Sequence, residues 1–202
     1  MSPARRTPEA TEALRSSLVD HARRIVVRDG AAALTMRGLA AEAGCAVGLT
    51  YKVFTDRRDL VAEICLAELE RLEHARGELV GRAGTATVAA NLAWFADLLL
   101  DSPAVALVPE VFADDGLAEV LAARAHTDGI GPGGFETTFA TYLAAEKRAG
   151  RVAADVDEEA FGFLLAGAIH NLVVSGDAWP RPTRRKLADR LAGVAAAISP
   201  RS

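Results

Sequence analysis

Cysteine is almost missing: the 202-residue sequence holds two, Cys45 and Cys65. Two thiols without a CxxC pair cannot build a zinc site on their own. They fit a reducing compartment, and each reads first as a small buried hydrophobe, with a disulfide or redox pair as the alternative. Long hydrophobic runs are missing too. No apolar stretch reaches roughly 18 residues, so no transmembrane helix is expected. The leading segment MSPARRTPEATEALRSS carries the pair Arg5 and Arg6 but no apolar region behind it. No secretory signal is expected there, and the cytoplasm is the expected location. Alternating strand patterns bounded by hairpin turns do not occur. Neither do a nucleophile elbow, HExxH, a phosphate loop or His, Asp and Glu at metal-ligand spacing. An enzyme, a metal site and a cofactor are therefore not expected. The adjacent carboxylates Asp155, Asp157, Glu158 and Glu159 read as helix caps and dipole partners.

What is present is helix-forming sequence. Half the residues are apolar, which argues against disorder, and the length suits one large domain or two small ones. Thr7 as N-cap and Pro8 at the first helical position open a helix with Leu14, Leu18, Ala22 and Ile25 on one face, ended by Gly30. A second helix is predicted from Thr35 to Gly44, with Leu39, Ala40 and Ala43 inward. A third lies in GCAVGLTYKVF, residues 44–54. Asp56 caps a fourth, with Asp59 in its first turn where the helix dipole favours negative charge, and Leu60, Ile64 and Leu69 carry it to about Gly77.

The stretch GELVGRAGTAT loosens the chain between about 77 and 87, and a module boundary is expected within or just before it. Beyond it Leu92, Phe95, Ala96 and Leu99 share a face, and Pro103 and Pro109 punctuate the next segment. TDGIGPGG breaks the chain before a helix with Phe135, Phe139, Tyr142 and Leu143 inward. Asp155 and Glu158 form a capping-box-like start to a helix that is apolar all round, and such a helix must be covered all round. Leu187, Leu191, Val194 and Ile198 make a stripe on the last helix. These two C-terminal helices, with Phe163, Ala166 and Gly167 on the first, suggest a homodimer seam; packing on the rest of the domain is the alternative.

Charge is uneven. Residues 1–60 hold ten Lys or Arg against seven Asp or Glu, and residues 61–202 hold thirteen against twenty, within a net charge of −4. A basic front third on an acidic body suggests a polyanion partner at the N-terminal end only. There, the second and third predicted helices are joined by Gly44, Cys45 and Ala46, which is the helix-turn-helix pattern. In such modules the second helix enters the major groove of DNA.

The block ALTMRGLAAEAGCAVGLTYKVFTDRRDLVAEI, within residues 12–64, resembles the DNA-binding module of TetR-family transcriptional regulators. The resemblance rests on Asp29-Gly30, Leu34-Thr35-Met36-Arg37, Leu39-Ala40, Ala43-Gly44, Gly48, Tyr51, Phe54 and Leu60 in that order. It implies an all-α fold: an N-terminal three-helix helix-turn-helix DNA-binding module over residues 1–60, and a C-terminal helical effector-binding and dimerisation domain over 61–202. It also implies a homodimer that occupies double-stranded operator DNA and leaves it when a small molecule binds. Thr35 and Arg37 would approach phosphate, with Arg37 also within reach of the groove. Ala46, Val47, Gly48 and Leu49 would face the groove, Tyr51 and Lys52 would touch backbone or base edges, and Arg57 would bind phosphate.

Two departures from the family pattern change what is expected of the reading helix. Ala46 stands where the family usually has Ser or Thr, which removes a helix cap of about 1 kcal/mol and a hydroxyl donor. Val47 stands where Lys or Arg is common. Neither Val47 nor Leu49 can hydrogen-bond a base, but both can pack on thymine methyls, so readout is expected from methyl contacts and DNA shape with Arg37, Tyr51 or Lys52. The alternative is a helical small-molecule-binding or interaction protein whose reading head binds DNA weakly or not at all. In the C-terminal domain Trp94, Phe112, Phe139 and Tyr142 are candidate pocket walls, with His126, His170 and Asn171 as polar handles; ordinary core is the competing role of each aromatic. A pocket of this make-up suits a hydrophobic or amphipathic ligand.

Overall fold

The computed structural model describes residues 7–127, 132–174 and 182–201. Within them the chain is helical and forms no strand: α1 (Pro8–Asp29), a 3-10 turn (Ala31–Ala33), α2 (Met36–Glu42), α3 (Val47–Val53), α4 (Arg57–Gly81), α5 (Val88–Leu100), α6 (Pro103–Ala113), α7 (Asp115–Thr127), α8 (Pro132–Arg148), α9 (Glu158–Val174) and α10 (Arg184–Ala197). Hydroxyl caps start several of them, at Thr7 and Thr35 as the sequence predicts and at Thr87 besides. Thr7 accepts from Ala10 N, Thr35 from Gly38 N and Thr87 from Ala90 N. Asp56 accepts from Asp59 N at 2.9 Å while Asp59 accepts from Thr55 N at 2.8 Å, a reciprocal cap that fixes where α4 begins.

Three expectations need correction. Helix α4 does not stop near Gly77 but runs to Gly81. Pro109 lies within α6 without ending it; the loss is confined to the hydrogen bond its missing N–H would have given to the Val105 carbonyl. Helix α9 is capped by Asp157, which accepts from Glu159 N and Ala160 N, and not by Asp155. The central residues of TDGIGPGG, 128–131, lie outside the described residues.

Two cores result. The first gathers Leu18, Ala22, Ile25 and Val26 of α1, Leu34, Met36 and Leu39, Phe54, and Leu60, Val61, Ile64 and Cys65 of α4. Leu107 of α6 and Leu117 of α7 complete it, so the packing continues across residue 60 into the C-terminal helices. The second joins Leu79, Leu92, Phe95, Phe139, Tyr142, Leu165, Ile169, Leu187, Leu191 and Ile198. Phe95 meets Phe139 edge-on at 5.5 Å between centroids and Phe135 at 6.4 Å. Helices α8 and α9 pack closely because Gly162 has no side chain: a Cβ there would come within 2.7 Å of the Glu136 carbonyl oxygen. Among the described residues no single helix is long and apolar enough to cross a membrane.

Candidate nucleic-acid interface and effector cavity

The turn between α2 and α3 is built by the backbone. Gly44, at φ +62°, takes the left-handed conformation that ends α2, and Cys45 N donates to the Ala40 carbonyl at 2.9 Å. Ala46 then starts α3 with no side-chain cap. Inward, Thr50 is fully buried, with its hydroxyl on the Val47 carbonyl at 2.8 Å, and Phe54 is fully buried behind it. Outward lie Ala46, Val47, Gly48, Tyr51 and Lys52, with Val47 37% and Tyr51 56% exposed. Leu49 is half-buried, so Val47 offers the more open methyl groups. Arg37 and Thr35 are exposed at the start of α2, and neither Arg37 nor Lys52 has an ion-pair partner among the described residues.

Arg15 braces this head from behind. It donates to the Val53 carbonyl at the end of α3, pairs with Glu63 at 2.9 Å and lies over the Phe54 ring at 5.2 Å. Arg28 ties α1 to α2 through Glu42 at 3.1 Å. The head is thus held by its own ion pairs, while the cations at its exposed face remain open.

Arg57 is placed differently from its expected role. Its guanidinium turns inward and away from a free cationic surface. It pairs with Glu110 of α6 at 2.5 and 2.8 Å, and donates to the carbonyls of Leu34 at 2.6 Å and Ala31 at 3.0 Å. The neighbouring Arg58 pairs with Asp114 at 2.5 Å. Helix α6 is therefore attached to the head at its C-terminal end through Glu110 and Asp114, and through Leu107 in the head's core. Its other end is attached too. Ser102, the α6 cap, donates to Glu68 Oε2 at 2.7 Å, and Glu68 pairs with Arg23 of α1 at 2.5 Å and Arg71 at 3.1 Å. No sequence motif marks Glu68, Glu110 or Ser102; carboxylates and a serine in mixed surroundings look like ordinary surface.

The first turns of α6 also wall a cavity of about 130 Å³ with Leu72, Leu99, Ser102, Ala104, Val105, Val108, Phe135, Ile169, His170 and Val173. Of the residues expected to form a pocket it contains His170 alone. Phe139 and Tyr142 are core, and the Tyr142 hydroxyl donates to Glu146 at 2.6 Å. Trp94 is half-buried under the Arg82 guanidinium, 3.8 Å from the ring centroid. Phe112, His126 and Asn171 sit on exposed positions, Phe112 with 68% of its surface open. Phe139 and Tyr142 fill the space between helices, Trp94 and Phe112 lie nearer the surface, and the cavity forms instead beside the small side chains of α6.

The dimer set divides similarly. Leu187, Leu191 and Ile198 face α5 within the same chain, Val194 is half-buried, and Ala166 is buried. The stripe on α10 is thus largely covered within its own chain. Phe163, 63% exposed, and Gly167 do face outward, and Leu164, Ala168 and Val174 share their face of α9. That outward face leaves a run of apolar surface uncovered on α9.

Residues 18–64 match the family model of the bacterial regulatory proteins of the tetR family. No curated protein matches the sequence at a significant level. Among solved structures, the chain is similar to a TetR transcription regulatory protein from Mycobacterium vanbaalenii, with 21% identity, 95% and 99% of the two chains covered and a TM-score of 0.59. A TetR-family transcriptional regulator from Pectobacterium atrosepticum gives 21% identity, 95% and 93% coverage and a TM-score of 0.56. A protein from Saccharomonospora viridis determined in complex with choline gives 17%, 94% and 100%, and 0.65. At these identities the structures speak for the fold, and the family model speaks for the N-terminal module. Residues 18–64 therefore carry the N-terminal module of the bacterial regulatory proteins of the tetR family, and nearly the whole chain shares the fold of these solved structures.

Proposed function

We propose that the protein is a transcriptional regulator that binds an operator duplex as a homodimer and is released by a small molecule held among its C-terminal helices. The observation that carries this reading is the outward face of α2 and α3. Arg37, Val47, Gly48, Tyr51 and Lys52 are exposed together on a head whose remaining cations are largely ion-paired. Arg37, Lys52 and the uncapped N-terminus of α3 supply phosphate contacts, and Val47, with part of Leu49, meets thymine methyls. Thr35 and Ala46 border the same surface. The second head comes from a partner chain docked on the outward face of α9, where Phe163, Leu164 and Gly167 lie open. Repression is the mode this arrangement serves, because an occupied operator excludes other proteins from the site.

Release requires that a ligand favour one placement of the heads over another. Helix α6 is the element suited to this, since it walls the cavity at one end and holds the head through Glu110 and Arg57 at the other. Arg57 therefore acts in coupling first, and reaches phosphate only on leaving Glu110. The neighbour in complex with choline supports the idea that this fold can hold a small molecule.

Footprinting the purified protein on genomic fragments tests the proposal. Protection of a two-fold symmetric site, lost in Arg37→Ala and Tyr51→Ala, is the expected result. A head that protects no fragment would favour a ligand-binding protein without DNA readout, the reading that the uncapped Ala46 and apolar Val47 would then explain.

A further inference from the structure

The ligand that the release model needs can be specified further from the cavity itself. Its walls are Leu99, Val105, Val108, Phe135 and Ile169, with two polar residues, Ser102 and His170. Ser102 is already engaged: its hydroxyl donates to Glu68 and accepts from Ala104 N at 3.3 Å. His170 is on an exposed position of α9 and stands at the rim. No carboxylate, ammonium or guanidinium lines the space among the described residues. An ionised ligand would leave water for a wall that cannot pair with its charge. The wider depressions do not compensate. One of about 490 Å³ lies among Asp20, Arg23, Arg24, Arg28 and Arg71, and its arginines are taken up by Asp20, Asp29, Glu42 and Glu68.

Size narrows the class further. An apolar cavity of roughly 150 Å³ in a protein stays dry and accepts benzene. At about 130 Å³ the space inside the rim fits one ring. Phe135, held edge-on by Phe95, gives the occupant a fixed aromatic wall. We propose that the cavity is the effector site for a compact, neutral, one-ring molecule whose single hydroxyl or carbonyl meets His170. This rests on the reading of the chain as a ligand-released regulator, and it names the ligand class for that site. Ala104, Val105 and Val108 are on the same helix as Leu107 and Glu110, so an occupant props the element that holds the head.

The test uses the full chain, first without DNA, and five probes: benzyl alcohol, cyclohexanol, benzene, benzoate and dodecanoate. Binding is read by ligand-observed NMR and by thermal unfolding. The two neutral ring alcohols are expected to bind saturably, one per chain, and to raise Tm by about 5 °C at a hundred times Kd. Benzoate and dodecanoate are expected to bind at least about tenfold more weakly, for want of a charge partner and of volume. Val108→Phe fills the space and is expected to abolish alcohol binding. If that variant does not fold, His170→Phe at the rim is expected to weaken the alcohols about tenfold while leaving benzene binding unchanged. Alcohols that do not bind, bind no better than benzoate or dodecanoate, or ignore both substitutions, overturn the proposal. Alcohols that bind as described but do not displace a footprinted duplex leave the ligand class standing and overturn the release model instead.

Discussion

Two buried carboxylates, Glu68 and Glu146, divide the labour of this molecule. Glu146, fully buried, draws every partner from the C-terminal domain: the Tyr142 hydroxyl at 2.6 Å, Gly84 N at 3.1 Å, and Arg151 at 2.5 and 2.7 Å. Arg151 continues to the carbonyls of Thr85 and Ala86, and so holds the α4–α5 turn, where Ala86 sits at φ +35°. Such a closed, satisfied network fixes one arrangement. Glu68, 2% exposed, draws its partners from α1, α4 and the α6 cap. It is less complete, because the buried Nε of Arg23 has no hydrogen-bond partner. In the proposed release the closed clamp holds the part that stays fixed, and the incomplete junction lies where the head meets α6, the place that must move.

Removing each carboxylate separates the two roles. Glu146→Ala strands Arg151 and a buried phenol and is expected to cost about 3–5 kcal/mol in urea unfolding. Glu68→Ala leaves Arg23 and Arg71 with other partners or solvent, and about 1–3 kcal/mol is expected, with a larger change in DNA affinity than Glu146→Ala shows at equal folded fraction. Equal stability costs with no difference in DNA binding would dissolve the distinction.

Acid gives a second contrast. Burial alone would raise the Glu146 carboxyl, but hydrogen bonds from Arg151, Tyr142 and Gly84 outweigh it and hold the group below its ordinary 4.5. A depressed carboxylate adds stability above its unfolded value and loses it as pH falls through its folded value. Wild type is therefore expected to lose stability below about pH 4.5 more steeply than Glu146→Gln, measured by urea midpoints across pH. Parallel curves would show that the clamp contributes nothing through ionisation.

Smaller effects are expected at the head. Glu110→Gln weakens the hold on Arg57, and half-exposed pairs of this kind contribute about 1 kcal/mol or less to stability. DNA binding is expected to tighten, with a salt dependence steeper by about one unit per chain as Arg57 becomes free to meet phosphate. Replacing the candidate thymines of a footprinted operator by uracil removes the methyl contacts of Val47. A several-fold loss of affinity is expected, and unchanged affinity would remove methyl readout from the account.

The head was legible in the sequence because its features are local. Thr35, Gly44, Asp56 and the apolar spacing of α1 determine caps, turn and core within a few residues of one another, and the structure adds only small shifts. The cavity and junction were not legible. Glu68 meets Ser102 across 34 positions and Arg57 meets Glu110 across 53, and neither pair has a local pattern. Phe139 and Tyr142 drew attention as large aromatics, yet size takes them into the core, and the space falls beside Ala104 and Val108. On α10, the stripe Leu187, Leu191 and Ile198 was readable as a face but not as to which neighbour it meets.

The most direct measurement of the central claim is duplex binding across a salt series, for wild type, Arg37→Ala and Lys52→Ala. Wild-type affinity is expected to fall linearly on logarithmic axes with increasing salt, and each substitution to reduce that slope by about one unit per chain. No binding at low salt, or a slope that neither substitution changes, would contradict the assignment of α2 and α3 as the DNA-reading surface.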